Sequence, residues 1–170
     1  GMVGARNASS LGTRMARRLG AGLSEAGFTV ISGLARGIDA AAHEAALEGQ
    51  GKTVAVMAGG IDVIYPPENA VLAAAIDAAG CRISEHPPGL QPQARHFPLR
   101  NRIIAGLSEI VVVVESRERG GSLITAMAAA ERGVPVMAVP GHATSRASLG
   151  VNELLRDGSA PAIDIDDVLV

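Results

Sequence analysis

The stretch Ile110-Val111-Val112-Val113-Val114-Glu115 decides the fold. Val111 to Val114 are four consecutive β-branched residues, which favour extended backbone and leave no polar face. A strand of that kind belongs at the centre of a parallel sheet, covered on both sides. Working outward, Met2-Val3, Phe28 to Ser32, Thr53 to Met57, Arg82 to Glu85 and Val134 to Val139 read as further strands. Between them, Leu11 to Ala26, Ile38 to Gly49, Asn69 to Ala79, Ser122 to Arg132 and Val151 to Arg156 carry helix formers at helical spacing. Gly27, Gly49, Gly80 and Gly133 each follow a helical stretch, where a left-handed cap is expected. This alternation predicts an α/β fold, an open and mostly parallel sheet with helices on both faces. Met2-Val3 is short for a strand and is expected to be truncated, and Asp164 to Val170 reads as a short terminal helix.

At 170 residues the chain suits one domain with one sizeable core. Nearly half its residues are apolar and 19% are charged, which excludes disorder as the general state. No apolar run approaches membrane-spanning length, no signal-peptide layout opens the chain, and the single Cys81 has no disulfide partner within it. A cytoplasmic compartment and no membrane contact are therefore expected. The formal charge of −2 argues against a uniformly basic nucleic-acid coat, so any such site must be local. Lys52 is the one lysine, and the remaining basic residues are arginines, whose planar guanidinium grips phosphate through paired hydrogen bonds. With Phe28, Tyr65 and Phe97 the only aromatic residues, one or two stacked bases is the ceiling.

Ligands of open parallel sheets bind at the carboxyl ends of the strands, beside helix N-termini. Four polar loops fall there: Gly4 to Ser9, Ser32 to Asp39, Gly59 to Asp62, and Arg117 to Ser122. Each joins glycines to hydroxyl, amide or carboxylate side chains, and three also bring arginine, at Arg6, Arg36, Arg117 and Arg119. Together they predict one anion-binding rim, although glycines at such turns are often needed only for geometry. The segment Arg95 to Ala105 is the densest in basic residues. In it Arg100 and Arg102 are candidates for holding phosphates and Phe97 for stacking a base, with core packing the competing use of that ring and loop bracing the competing use of Asn101.

Six segments resemble, in order, the signatures of the DprA/Smf family. They are Gly-Ala-Arg-Asn-Ala-Ser from Gly4, Ser-Gly-Leu-Ala-Arg-Gly-Ile-Asp from Ser32, Tyr-Pro-Pro-Glu-Asn from Tyr65, Phe-Pro-Leu-Arg-Asn-Arg-Ile-Ile from Phe97, Gly-Ser-Leu-Ile-Thr from Gly121 and Val-Pro-Gly from Val139. The resemblance covers nearly the whole chain. It implies an extended Rossmann-like core that binds and protects single-stranded DNA, without catalysis, and helps load a RecA-type recombinase during natural transformation. It also implies further small domains flanking such a core, which are expected to lie outside this stretch of sequence, and a homodimer, for which Leu154 and Leu155 are the candidate surface. Carried over position by position, the implied DNA-binding set is Gly4, Arg6, Ser9, Ser32, Gly33, Arg36, Phe97, Arg100, Asn101, Arg102, Gly121 and Ser122, with no cofactor and no metal. Ala5 departs from the family's usual Ser between that Gly and Arg.

The rival reading is a Rossmann-like hydrolase that cleaves nucleoside monophosphates, with Glu115, Glu118 or Asp62 as its carboxylate. Leu123 to Ala130 is uncharged, so no acidic partner follows the Gly120-Gly121-Ser122 loop. A nicotinamide site is not indicated, because Gly20-Ala21-Gly22 lies inside a helical stretch and should serve packing or capping. His43-Glu44 begins like a zinc-protease motif but has Leu47 in the place of the second His. The four histidines are scattered, though His43, one turn after Asp39, can reach the pocket. Asp39 is expected to stabilise a helix start, and Asp62 to brace its loop or hold an Arg.

Overall fold

The computed structural model describes residues 1–169. The chain runs through β1 (Met2–Gly4), α1 (Ser10–Glu25), β2 (Val30–Ser32), α2 (Ile38–Glu48), β3 (Thr53–Val56), α3 (Ala70–Ala79), β4 (Cys81–Ile83), α4 (His96–Leu107), β5 (Val111–Glu115), α5 (Gly121–Glu131), β6 (Val136–Ala138), α6 (Leu149–Arg156), β7 (Ala160–Pro161) and α7 (Ile165–Val168). The last residue of the expected terminal helix, Val170, lies outside the described residues.

All strand pairings are parallel, as the doubly covered Val111–Val114 run requires. The ladders form two sets, β1-β5-β6-β7 and β2-β3-β4, where the sequence predicts one continuous sheet. The sets abut at β1 and β2, where the Ser32 hydroxyl donates to the Met2 carbonyl at 2.6 Å. Alternate residues of β1 and β5 face opposite layers. Met2, Val112 and Val114 pack with Ala16 and Leu19 of α1 and Ala42 and Ala46 of α2. Val3, Val111 and Val113 pack with Ile104 of α4, Ala126 and Ala129 of α5 and Val151 of α6. Helices therefore cover both faces in a Rossmann-like α/β fold. Winding runs outward from β1 through β2, β3 and β4, then returns to β5 on the other side of β1. That reversal opens a crevice at the carboxyl end of β1.

Helix α4 is absent from the sequence-based prediction. Its buried residues, His96, Arg100, Asn101, Ile104 and Ala105, do follow helical spacing, but three of the five are polar. Pro98 is tolerated because it sits in the first turn, where no intrahelical N–H bond is lost. Two of the expected left-handed caps, Gly27 and Gly133, are left-handed. Gly49 and Gly80 are not; a Cβ on Gly80 would stand 1.9 Å from the Thr53 carbonyl oxygen, so close packing explains that glycine. Gly20 packs on Ala42 and Ala45 of α2, the packing role expected for the Gly20-Ala21-Gly22 segment. Leu154 and Leu155, the candidate dimer surface, are partly buried against the second core cluster because α6 lies against β5 and β6.

The loop after β2 is held by four buried or half-buried polar side chains. Leu34 is left-handed, with φ of 57°, and its side chain is buried in a third cluster beside Ala55, Met57 and Ile76. Its N–H donates to His43 Nε2 at 3.3 Å, and its carbonyl accepts from Asn69 Nδ2 at 2.9 Å. The N–H groups of Gly33 and Ala35 donate to the Asp39 carboxylate at 3.1 and 3.4 Å. Arg100 Nη1 donates to the carbonyls of Gly33 and Val56 at 2.7 and 2.6 Å. Thus α4 is pinned across the ends of β2 and β3 by a guanidinium.

His43 is fully buried and does not reach the crevice as expected. Thr53 Oγ1 donates to the Val30 carbonyl, so it accepts from His43 Nδ1–H at 2.6 Å, while Nε2 accepts from Leu34. Both ring nitrogens are thereby committed to the neutral imidazole. Burial, reinforced by the Arg100 charge, lowers its pKa from 6.5 to about 3.

Three outcomes follow from these contacts. Gly37 has φ of 77° and a Cβ there would stand 2.3 Å from the Ala5 carbonyl oxygen, whereas the equally left-handed Gly27 faces open space. Urea unfolding should show Gly37→Ala losing about 3 kcal/mol and Gly27→Ala about 1 kcal/mol. Arg100→Ala strands two buried carbonyls and the Asp39 carboxylate, and its unfolding midpoint should fall by the equivalent of about 3 kcal/mol. The unfolded chain protonates His43 below pH 6.5 while the folded chain resists until about pH 3, so stability falls with pH across that window. Comparing pH 7 with pH 5, wild type should lose about 2 kcal/mol more than His43→Gln.

Candidate nucleic-acid interface

A cleft of about 780 Å³ opens where the chain reverses direction across β1. Its floor is Val3 and Gly4 of β1 with Asp39 of α2, and one wall is the following loop Ala5-Arg6-Asn7. The opposite wall is Phe97, Arg100, Asn101 and Ile104 of α4, and the far end is Ser116, Arg117 and Arg119 with the first turn of α5. Of the four predicted polar loops, those after β1, β2 and β5 meet here. The loop after β3 does not: Gly59 and Gly60 pack on the 87–92 segment, and Asp62 accepts the Gly89 N–H at 2.7 Å. Asp62 therefore braces that loop and holds no arginine.

Four arginines line the cleft, Arg6, Arg100, Arg117 and Arg119, against one carboxylate, Asp39. Its potential is therefore positive in a chain of net charge −2. Arg6, Arg117 and Arg119 have no carboxylate within ion-pair distance among the described residues. The Arg6 guanidinium lies over the Phe97 ring, 4.9 Å from its centroid. Phe97 is half-buried, with Tyr65 at 5.6 Å between ring centroids. Hence Phe97 is a wall of the cleft and not a core residue. Tyr65 was missed as a lining residue; the scarcity of aromatic residues and its place in the Tyr-Pro-Pro-Glu-Asn segment were the available signals.

Other residues of the expected set take different places. Ser32 is fully buried with its hydroxyl given to Met2, so it cannot face a ligand. Gly33 is covered by Arg100, whose guanidinium carbon would stand 2.7 Å from a Cβ there. Ser9 caps α1, its Oγ accepting the Gly12 N–H at 3.0 Å and donating to Glu115. Arg102 is exposed away from the cleft and paired with Glu85, whereas Arg36, paired with Glu68, lines a small adjoining pocket with Arg6, Tyr65 and Phe97. Arg100 does line the cleft, but two backbone carbonyls and Asn101 Oδ1 hold its guanidinium, and burial lowers its pKa against the opposing pull of Asp39. Asn101 Nδ2 donates to the Gly121 carbonyl at 3.3 Å and so ties α4 to α5. Gly4, Arg6, Phe97, Gly121 and Ser122 remain accessible to the cleft, joined by Arg117 and Arg119.

Of the carboxylates on which hydrolysis would depend, Glu115 and Asp62 are engaged elsewhere and Glu118 lies off the cleft. Glu115 is buried and accepts from the N–H and hydroxyl of Ser9. Glu118 does not line the cleft. Asp39 does, but it is bonded to Gly33 and Ala35; burial raises its pKa, while the Arg100 charge and those N–H groups lower it. Its role is to hold the loop before α2, more than to cap that helix. No group of three or more His, Cys, Asp or Glu among the described residues is placed to hold a metal ion, and no described helix is long and apolar enough to cross a membrane.

The family model for DNA recombination-mediator protein A matches residues 1–170. The DNA processing protein DprA of Bacillus subtilis is 42% identical over 168 residues, which are 99% of this chain and 57% of that protein. The crystal structure of DprA from Streptococcus pneumoniae superposes with a TM-score of 0.92 at 42% identity, covering 99% of this chain and 59% of that one. DNA processing protein A from Helicobacter pylori, whose structure is described as showing a single-stranded DNA binding mode, gives a TM-score of 0.90 at 27% identity, with 99% and 76% covered. The chain thus spans a little over half the length of the first two relatives. Its fold, its signature segments in register and this match along its whole length place the chain in the DNA recombination-mediator protein A family, the DprA/Smf proteins.

Proposed function

We propose that the cleft binds single-stranded DNA without cleaving it. The observation that carries this reading is the coincidence, in one open cleft, of three arginines without carboxylate partners among the described residues and the half-buried ring of Phe97. Arginines hold the backbone irrespective of sequence, and an aromatic face accepts any base. Such a site favours single strands, whose bases can splay out of the stack. The described binding mode of the Helicobacter pylori relative supports the same ligand. The internal engagement of Glu115 and Asp62 supports a binding role over nucleoside monophosphate hydrolysis.

The family resemblance supports a wider role as part of the same proposal. The bound strand is protected and handed to a RecA-type recombinase during natural transformation, in the cytoplasm, by a homodimer. The recombinase and the second copy dock on surfaces other than the cleft, since the cleft holds DNA.

Fluorescence anisotropy of a labelled oligothymidine tests the cleft. Arg6→Ala should weaken binding roughly ten-fold and lower the salt slope by about one, while Arg102→Ala and Arg36→Ala change affinity less than about two-fold. Phe97→Leu should weaken binding by about five-fold or more through lost stacking. Equal affinity for single- and double-stranded DNA at moderate salt, or an unchanged Arg6→Ala, would overturn the reading.

A further inference from the structure

The first turn of α5 contains a polar atom that nothing in the fold uses. Ser122 is 8% exposed, and its Oγ is buried without a hydrogen-bond partner. Ser122 lines the cleft beside Gly121, whose Cβ position is open space. The N–H groups of Gly121 and Ser122 also donate to nothing among the described residues, since the first bonded N–H of this turn is Leu123, to Gly120. The Gly121 peptide is held from behind by the Asn101 amide, so the turn is fixed in place. A buried hydroxyl left unpaired costs free energy unless a ligand completes it.

We infer that this turn is a seat for a terminal phosphate monoester, so that the protein prefers strands ending in phosphate over strands ending in hydroxyl. The inference rests on the single-strand reading of the cleft and adds a preference for one feature of the strand. Three donors are unpartnered among the described residues: two N–H groups and one hydroxyl. A phosphodiester within a strand offers two unesterified oxygens and one negative charge, whereas a terminal phosphate offers three oxygens and about −1.5 to −2 charges. The third oxygen matches the third donor. The additional charge is matched by the positive end of an 11-residue helix and by Arg117 and Arg119. A strand end seated here has Phe97 within the same cleft for its last base.

The test compares fluorescently labelled oligothymidines of one length bearing a 5′-phosphate, a 3′-phosphate or neither, bound to wild type, Ser122→Ala and Gly121→Pro. Proline suits the first position of a helix, and Gly120 before it is already extended, so Gly121→Pro removes one N–H without breaking α5. One phosphorylated form should bind wild type roughly five-fold or more tighter than the unphosphorylated form. Both variants should bring that ratio close to one, whatever their affinity for the unphosphorylated strand. Equal affinity of wild type for all three forms overturns the inference and leaves single-strand binding standing. A ratio that survives both variants also overturns it, and failure of every form to bind overturns the underlying reading as well.

Discussion

The Arg100 guanidinium, buried between the ends of β2 and β3, is the contact on which the site depends. It binds the Gly33 and Val56 carbonyls, and through Asn101 it is continuous with the hydrogen bond to Gly121. One chain of polar contacts thus joins the loop after β2, the helix α4 and the start of α5. In a low-dielectric interior such bonds are strong when complete and costly when broken, which makes the network a determinant of geometry. Asp39 offsets the buried charge from the other side of the same loop.

This arrangement divides the arginines of the chain by function. Arg100 is spent on architecture, Arg36 and Arg102 on surface pairs with Glu68 and Glu85, and Arg6, Arg117 and Arg119 remain for a ligand. Local positive potential therefore arises in an acidic protein from where carboxylates are few, as much as from where arginines are present. Exposed pairs such as Arg36–Glu68 contribute little to stability, so their effect is chiefly to cancel charge outside the cleft.

The topology explains why these residues meet at all. Winding reverses at β1, so the loops after β1 and β5 diverge to opposite faces and leave a crevice between them. The loop after β3 lies two strands from that point and turns instead onto the 87–92 segment. The four Gly-rich loops look alike in sequence, yet only those near the reversal share a cavity.

The order of β1 to β6 and of the helices other than α4, the parallel sheet, and the candidacy of Arg6, Phe97, Gly121 and Ser122 were legible in the sequence. β-branched runs and glycine-containing turns act through local sterics, which a sequence displays directly. The helix α4 was hidden because its buried face is made of His96, Arg100 and Asn101, polar residues that a hydrophobic pattern cannot mark as inside. Family resemblance singled out Ser32, Gly33 and Arg100 without distinguishing a residue that touches a ligand from one that shapes the loop that does. That distinction belongs to the tertiary structure, because which side of a buried guanidinium faces carbonyls and which faces solvent depends on residues 67 and 44 positions away along the chain.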